Sequence, residues 1–210
     1  MIAVLDYEAG NLTSVKLAVR RVGGDPVVTQ DPAVVARSER VIFPGVGAAG
    51  SSMLHLKRLG LDRALEQAFH AGKPILAVCI GIQLLFDHSE EDGGVDCLGL
   101  LRGEAVPFAF PREARVKIPH MGWNGIRLQR AHPVFSGLEE GSEFYFVHSY
   151  RVEPSDASVT LAESDYGGIS FVSAVGRGSL VAMQFHPEKS GRAGLSLLAN
   201  FLAWDGRAPA

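Results

Sequence analysis

Residues 74–85 constrain this chain more than any other stretch: Pro74-Ile-Leu-Ala-Val-Cys79-Ile-Gly81-Ile-Gln83-Leu-Leu85. The apolar run up to Cys79 suits a strand buried on both faces, as in a parallel sheet. An apolar segment of helical character begins directly after the cysteine. The chain must therefore turn sharply at Cys79, in the manner of a nucleophile elbow with Cys in place of Ser. Such a turn lifts Sγ off the sheet edge to a helix start, where unpaired N–H groups favour a thiolate. A thiolate is the nucleophile that acyl transfer needs. Gly81 leaves room beside the sulfur for a substrate and for close helix–strand packing. Position 77 departs from the elbow pattern, carrying Ala where such turns have Gly. Taken alone, a cysteine in an apolar run is equally well a small core hydrophobe.

A second stretch supplies what a nucleophile needs. Residues 180–190 read Leu180-Val-Ala-Met-Gln-Phe-His186-Pro-Glu188-Lys-Ser190. An apolar strand ends at Phe185, and in extended chain residues i and i+2 point the same way. Pro187 fixes its own φ and stiffens the segment. His186 and Glu188 can thus lie side by side, the carboxylate holding one ring nitrogen and leaving the other free. That is the base and orienter of a nucleophile–His–carboxylate triad, in the order Cys79, His186, Glu188.

The rest of the first half alternates strand and helix. Ile2–Leu5, Pro26–Thr29 and Val41–Phe43 read as strands. Leu12, Val15, Val19 and Val22 recur at helical spacing. A Gly-rich loop at Pro44–Ser52 leads to helices around Met53–Leu59 and Leu61–Ala71. After a loop at Glu90–Gly94, strands dominate: Glu104–Phe108, Arg115–Ile118, Gly125–Leu128, Glu143–His148, Ser158–Ala162, Ile169–Val175 and Leu180–Phe185. A helix over Ala193–Leu202 follows. This pattern predicts an α/β fold, a mostly parallel central sheet flanked by helices with antiparallel strands added in the second half. Ligands in such sheets bind at the carboxyl ends of the strands, where Cys79 and the Pro44–Gly47 loop both fall. Residues 1–202 read as one domain and 203–210 as a frayed tail.

Charge narrows the field of functions. A formal net charge of −3 is not that of a nucleic-acid binder. No apolar run is long enough for a membrane span, and the start Met1-Ile-Ala-Val-Leu-Asp6 reads as a strand rather than a signal peptide. Two cysteines do not make a disulfide scaffold, which fits a cytoplasmic location, and Cys97 reads as structural. No cluster has metal-ligand spacing, and no phosphate-binding fingerprint or other sign of a cofactor is present.

The elbow and the His-Pro-Glu string resemble those of class I, triad-type glutamine amidotransferases, and the resemblance runs from Met1 to about Leu202. Within that family the sharper likeness is to the glutaminase subunits of imidazole glycerol phosphate synthase. It is carried by Asp6-Tyr-Glu-Ala-Gly-Asn11-Leu12, Pro44-Gly-Val-Gly47, Lys117-Ile-Pro-His-Met-Gly-Trp123-Asn124 and Lys189-Ser190. The resemblance implies the flavodoxin-like fold of that family and the release of ammonia from glutamine through a thioester on Cys79. It implies an oxyanion hole from Ile80 and from Val46–Gly47, in a loop that reorients. It assigns glutamine contacts to Gly47, Gln83, Glu91, Ser149 and Tyr150. As partner it implies a (β/α)₈ barrel cyclase subunit, joined in a heterodimer across a face including Asn11, Met121, Trp123 and Lys189. The barrel would turn ammonia and a phosphoribulosyl nucleotide into imidazole glycerol phosphate and aminoimidazole carboxamide ribotide, in histidine biosynthesis. Three other readings share part of the pattern: a glutaminase serving pyridoxal phosphate, anthranilate or guanylate synthesis; a γ-glutamyl hydrolase or peptidase; and a non-catalytic module that kept the fold.

Overall fold

In the computed structural model, which describes residues 1–8 and 12–207, the apolar runs of the first half form adjacent parallel strands. The order along the chain is β1 (Ile2–Leu5), α1 (Leu12–Arg21), β2 (Pro26–Thr29), α2 (Pro32–Arg37), β3 (Arg40–Phe43), α3 (Ala49–Leu59), α4 (Leu61–His70), β4 (Ile75–Val78) and α5 (Ile80–Leu84). The second half adds β5 (His88–Ser89), β6 (Val95–Asp96), β7 (Gly103–Pro107), β8 (His120–Gly125), β9 (Arg127–Leu128), β10 (Glu143–His148), β11 (Tyr150–Pro154), β12 (Thr160–Tyr166), β13 (Ile169–Arg177), β14 (Leu180–Met183) and α6 (Gly191–Ala203). The main sheet runs β2-β1-β3-β4-β14-β13-β11-β7-β5-β6, parallel from β2 to β14 and antiparallel from β14 through β13 and β11 to β7. The parallel part has the flavodoxin-like order, with β14 as its fifth strand.

Burial explains why the parallel strands are apolar throughout. β1, β4 and β14 are buried at every residue, because helices cover both faces. One face packs Leu56, Leu61 and Leu65 of α3 and α4 against Ala3, Leu5, Val41 and Phe43. The other packs Val15 and Val19 of α1 and Leu197, Leu198 and Phe201 of α6 against Val4, Ile42 and Leu76. No helix among the described residues is long and apolar enough to cross a membrane.

The register of β14 on β4 decides what the fold can do. Met183 pairs with Val78, so Cys79 and Gln184 leave the sheet side by side, and Cys79 N–H donates to Met183 O at 2.9 Å. Separate from the main sheet, β8 and β10 form a two-stranded antiparallel ribbon, with Met121 opposite Val147 and His120 opposite His148.

Several local expectations are corrected. No strand forms over Arg115–Ile118; it starts at His120 and runs to Gly125, where two glycines and an asparagine weaken the local signal and pairing with Phe144–His148 overrides it. The Gly125–Leu128 strand shrinks to Arg127–Leu128 on β12. Ala157–Val159 is a 3₁₀ turn, so β12 starts at Thr160. The short helix α2 escaped the pattern although its start is well marked: the Asp31 side chain accepts from Ala33 N–H at 2.8 Å, with Pro32 in its first turn. Trp204, read as part of a loose tail, is 3% exposed and meets the His132 ring edge-on at 4.8 Å.

Candidate active site

Cys79 follows β4 at φ 57 and ψ −111, a positive-φ conformation that a non-glycine residue adopts only where the surroundings enforce it. The sharp turn read from the sequence is this residue. Ala77 lies within β4, so Gly is not required there. Gly81 is required for packing: a Cβ at that position would lie 2.6 Å from the main-chain oxygen of Phe43 in β3. The room beside the sulfur that Gly81 was expected to leave is taken by backbone. Helix α5 spans only five residues, so its dipole is small, and the sulfur's environment is set by specific contacts instead. The thiol donates to Val147 O at 3.7 Å, and Gln184 Nε2 donates to Sγ at 3.9 Å.

His186 and Glu188 meet as the i, i+2 geometry requires. Glu188 Oε1 accepts from His186 Nδ1 at 2.7 Å, with side chains only 2% and 5% exposed. His186 N–H is fixed on Tyr145 O at 2.9 Å. Burial is the largest influence on the ring and pulls its pKa down, but Cys79 and Glu188 together outweigh it and raise it to about 9. Nε2 is buried without a hydrogen-bond partner of good geometry, so the nitrogen is free to exchange a proton with the sulfur. Cys97, by contrast, is pushed up to about 11 by burial first and by Asp96 second, which makes it an inert thiol.

Beside Cys79 opens a cavity of about 370 Å³ lined by Val46, Gly47, Ile80, Gln83, Glu91 and Tyr150, among others. Its size falls within the range of small-molecule sites. Every residue expected to contact glutamine or the oxyanion (Ser149 included) lies on its wall. Gly47 takes φ 111, open to glycine and strained for other residues. The loop start is anchored by Tyr7, whose hydroxyl donates to Pro44 O at 2.8 Å; burial first, and Cys79 second, keep that phenol neutral. The loop's far end is held by Glu91, whose Oε2 accepts from Ala49 N–H at 2.7 Å, and burial holds its carboxyl above the usual carboxylate range. Glu91 therefore both lines the cavity and caps α3.

Sequence reasoning missed a pair of buried histidines at the cavity, of which His148 lines the wall. His120 Nδ1 lies 2.9 Å from His148 Nε2, and His148 Nδ1 lies 2.8 Å from Tyr150 O. A carbonyl only accepts, so His148 carries its proton on Nδ1 and His120 must donate to its Nε2. The other end agrees: Asn124 Nδ2 donates to Asp165 O at 2.9 Å and turns its second hydrogen toward His120 Nε2 at 3.3 Å. Burial lowers both pKa values, to about 4 for His120 and about 3 for His148, so both rings are neutral. Among the described residues no group of three or more His, Cys, Asp or Glu is placed to hold a metal.

The comparisons with known proteins agree with this geometry. The family description Glutamine amidotransferase class-I matches residues 3–204.

The chain belongs to the class I glutamine amidotransferases.

Among relatives in that family, proteins named imidazole glycerol phosphate synthase subunit HisH from Chromobacterium violaceum and Aromatoleum aromaticum are each 49% identical. The alignments cover 98% of this chain and 98% of the first, and 97% and 98% for the second. Among solved structures, a glutamine amidotransferase superposes with a TM-score of 0.73 at 19% identity, covering 96% of this chain and 97% of the other. A putative GMP synthase protein from Thermoplasma acidophilum gives 0.72 at 18% identity, covering 96% and 92%. Likeness at that identity speaks for the amidotransferase fold alone.

Of the residues expected on a docking face, Asn11 lies outside the described residues. Met121 and Trp123 are exposed, at 61% and 55%. Lys189 joins them through Tyr145, which sequence reasoning had passed over: its ring meets Trp123 edge-on at 6.2 Å and carries the Lys189 ammonium over its face at 5.7 Å. Alternation along the Glu143–His148 strand, which leaves Tyr145 off the buried face, was the signal.

Proposed function

We propose that this chain is the glutaminase subunit of an imidazole glycerol phosphate synthase, releasing ammonia from glutamine through a thioester on Cys79. One observation carries the reading: a strained cysteine that lines a cavity and a buried His186–Glu188 pair leave adjacent strand ends, in a chain 49% identical to proteins named HisH. The raised pKa of His186 favours the ring as holder of the thiol proton. Sγ adds to the side-chain carboxamide carbon of glutamine, and the oxygen gains the charge. The N–H of Ile80 and an N–H of the Val46–Gly47 loop are the donors assigned to that oxyanion. His186 gives its proton to the leaving nitrogen, the C–N bond breaks, and ammonia departs from a γ-glutamyl thioester. Water, deprotonated by His186, then releases glutamate and restores the thiol. Gln83, Glu91, Ser149 and Tyr150 hold the substrate.

Free ammonia is protonated and diffuses away in water, so a chain that makes it needs a consumer docked against it. The exposed Met121 and Trp123, with Tyr145 and Lys189, form the face for a (β/α)₈ barrel cyclase subunit. Aromatic residues of this kind are typical interface anchors. The same face adjoins the triad, since the Tyr145 and His186 rings lie 6.5 Å apart.

The test is glutamine hydrolysis by the chain alone, with the barrel, and with the barrel and its nucleotide ligand. Turnover should be fast only in the last state. Cys79→Ala should abolish it while the complex still makes product from added ammonia. Glutaminase activity in Cys79→Ala, or product formation with a different synthase instead, overturns the reading.

A further inference from the structure

Gln184 is fully buried, one residue beyond β14 and two before His186. Its side chain spans two groups of the site. Oε1 accepts from Gln83 Nε2 at 3.1 Å, and Nε2 donates to Cys79 Sγ at 3.9 Å. The polarity of this bridge is not a free choice. A main-chain carbonyl only accepts, so Gln83 must turn its nitrogen to Tyr150 O, 3.4 Å away. His148 Nδ1 donates to that same oxygen at 2.8 Å and holds it in place. The Gln83 nitrogen also faces Gln184, so Gln184 must offer it oxygen. Its own nitrogen is then left facing the sulfur. Beyond the sulfur the direction is unchanged, because the thiol donates to Val147 O at 3.7 Å. Once the thiol has lost its proton, Val147 O faces an anion with which it cannot bond. The Gln184 N–H is then a donor already aimed at Sγ.

We infer that Gln184 is a positioning residue for the Cys79 thiolate: its amide, locked in one orientation by Gln83 and the Tyr150 carbonyl, donates to the sulfur and holds it for attack. The inference rests on Cys79 being the nucleophile. Nothing in the apolar strand pattern of residues 180–185 marks the role, and the partner that fixes the amide lies 101 residues earlier.

The experiment follows alkylation of Cys79 by iodoacetamide in the full chain as a function of pH, with the adduct read by mass spectrometry. Gln184→Met keeps the volume and removes the donor. Its reactivity midpoint should move up by about one pH unit, roughly a ten-fold loss of rate below it, as for a lost hydrogen bond to a charged group. The kcat/KM for glutamine should fall by a similar factor. Gln184→Glu keeps an oxygen toward Gln83 but turns a second one toward the sulfur, so its shift should be larger. Unchanged profiles in both variants overturn the inference. Should either substitution unfold the chain, the wild-type protein answers: the side-chain amide resonance of Gln184 must move when Cys79 is alkylated, and a stationary resonance overturns the inference. A wild-type Cys79 that resists a glutamine-analogue electrophile overturns the proposed function itself. That outcome is distinct from a labelled Cys79 with the same pH profile in all three proteins.

Discussion

Gly81→Ala tests how tightly the nucleophile turn is held. An added Cβ would sit 2.6 Å from Phe43 O and 3.4 Å from Ala77 Cβ. The oxygen belongs to β3, which is paired with β1 and β4 and cannot yield. Helix α5 must therefore retreat. Restoring an ordinary contact of 3.4 Å takes about 0.8 Å of movement. Ile80 N–H, the proposed oxyanion donor, lies one residue before Gly81 and moves with it. Displacement on this scale forfeits most of one donor, about 10²–10³ in kcat. Stability falls by about 1–3 kcal/mol, as for an overpacked core. The assay is steady-state glutamine hydrolysis by the complex with its nucleotide ligand, beside ammonia-driven product formation and a denaturant melt. The expected result is a large loss of glutaminase kcat with ammonia-driven synthesis retained. A kcat within two-fold of wild type, in a protein destabilised as expected, refutes the reasoning. An equal loss of ammonia-driven synthesis places the damage in assembly rather than in the oxyanion hole.

Four further outcomes are expected. His186→Ala should cost nearly as much kcat as Cys79→Ala, and Glu188→Gln less, because the ring then loses charge support but keeps its place; the reverse order in kinetics would contradict the assigned roles. The His186 pKa is raised above its unfolded value, so its stabilisation is complete below about pH 6.5 and is lost as pH rises through about 9; denaturant melts should show the gap between wild type and Glu188→Gln closing over that window, and a constant gap would count against it. For His120 and His148 the sign is opposite, since their folded pKa values are depressed: stability should fall as pH drops from about 6.5 toward 4 and 3, with nitrogen NMR showing neutral Nδ1–H rings at neutral pH, and Nε2–H tautomers would break the proposed chain. Trp123→Ala should weaken association with the barrel by about 2 kcal/mol or more, as a hot-spot truncation does, leaving the melt of the isolated chain unchanged.

The parts legible in the sequence are those whose geometry is local. Cys79 turns the chain at a strand end, and His186 and Glu188 meet because they are two residues apart across a proline. Both follow from neighbouring residues, and both are as expected. The illegible parts depend on register. That β14 inserts beside β4, bringing Gln184 next to Cys79, is a matter of pairing between segments a hundred residues apart. Neither His120 nor His148 carries a local sign of its partner, because the pair exists only once β8 and β10 align. Tyr145 differs, because alternation along its own strand already set it off the buried face. The β8 strand itself was unreadable because its two glycines give no strand signal, and only pairing with β10 makes it a strand. Gly81 was read correctly as a packing device, but its near neighbour is the backbone of β3 rather than a substrate.

The β8–β10 ribbon joins the two halves of the function. On its outer side Met121 and Trp123 are exposed and Trp123 meets Tyr145, the face proposed for the partner. On the same strand β10, Tyr145 O holds His186 N–H and Val147 O takes the Cys79 thiol. His148, next along, pins the Tyr150 carbonyl that orients Gln83 and through it Gln184. A partner that shifts β10 along its length therefore acts at once on the base, the nucleophile and the amide bridge. It does so with no loop running between the two sites. The ribbon is also tied to the core, since Phe144 and Phe146 are fully buried against Phe185 and Phe171, so such a shift is carried into that packing as well. Coupling of this kind requires that the docked and free forms differ in free energy at β10, and the contacts of Met121 and Trp123 are where a partner can supply the difference.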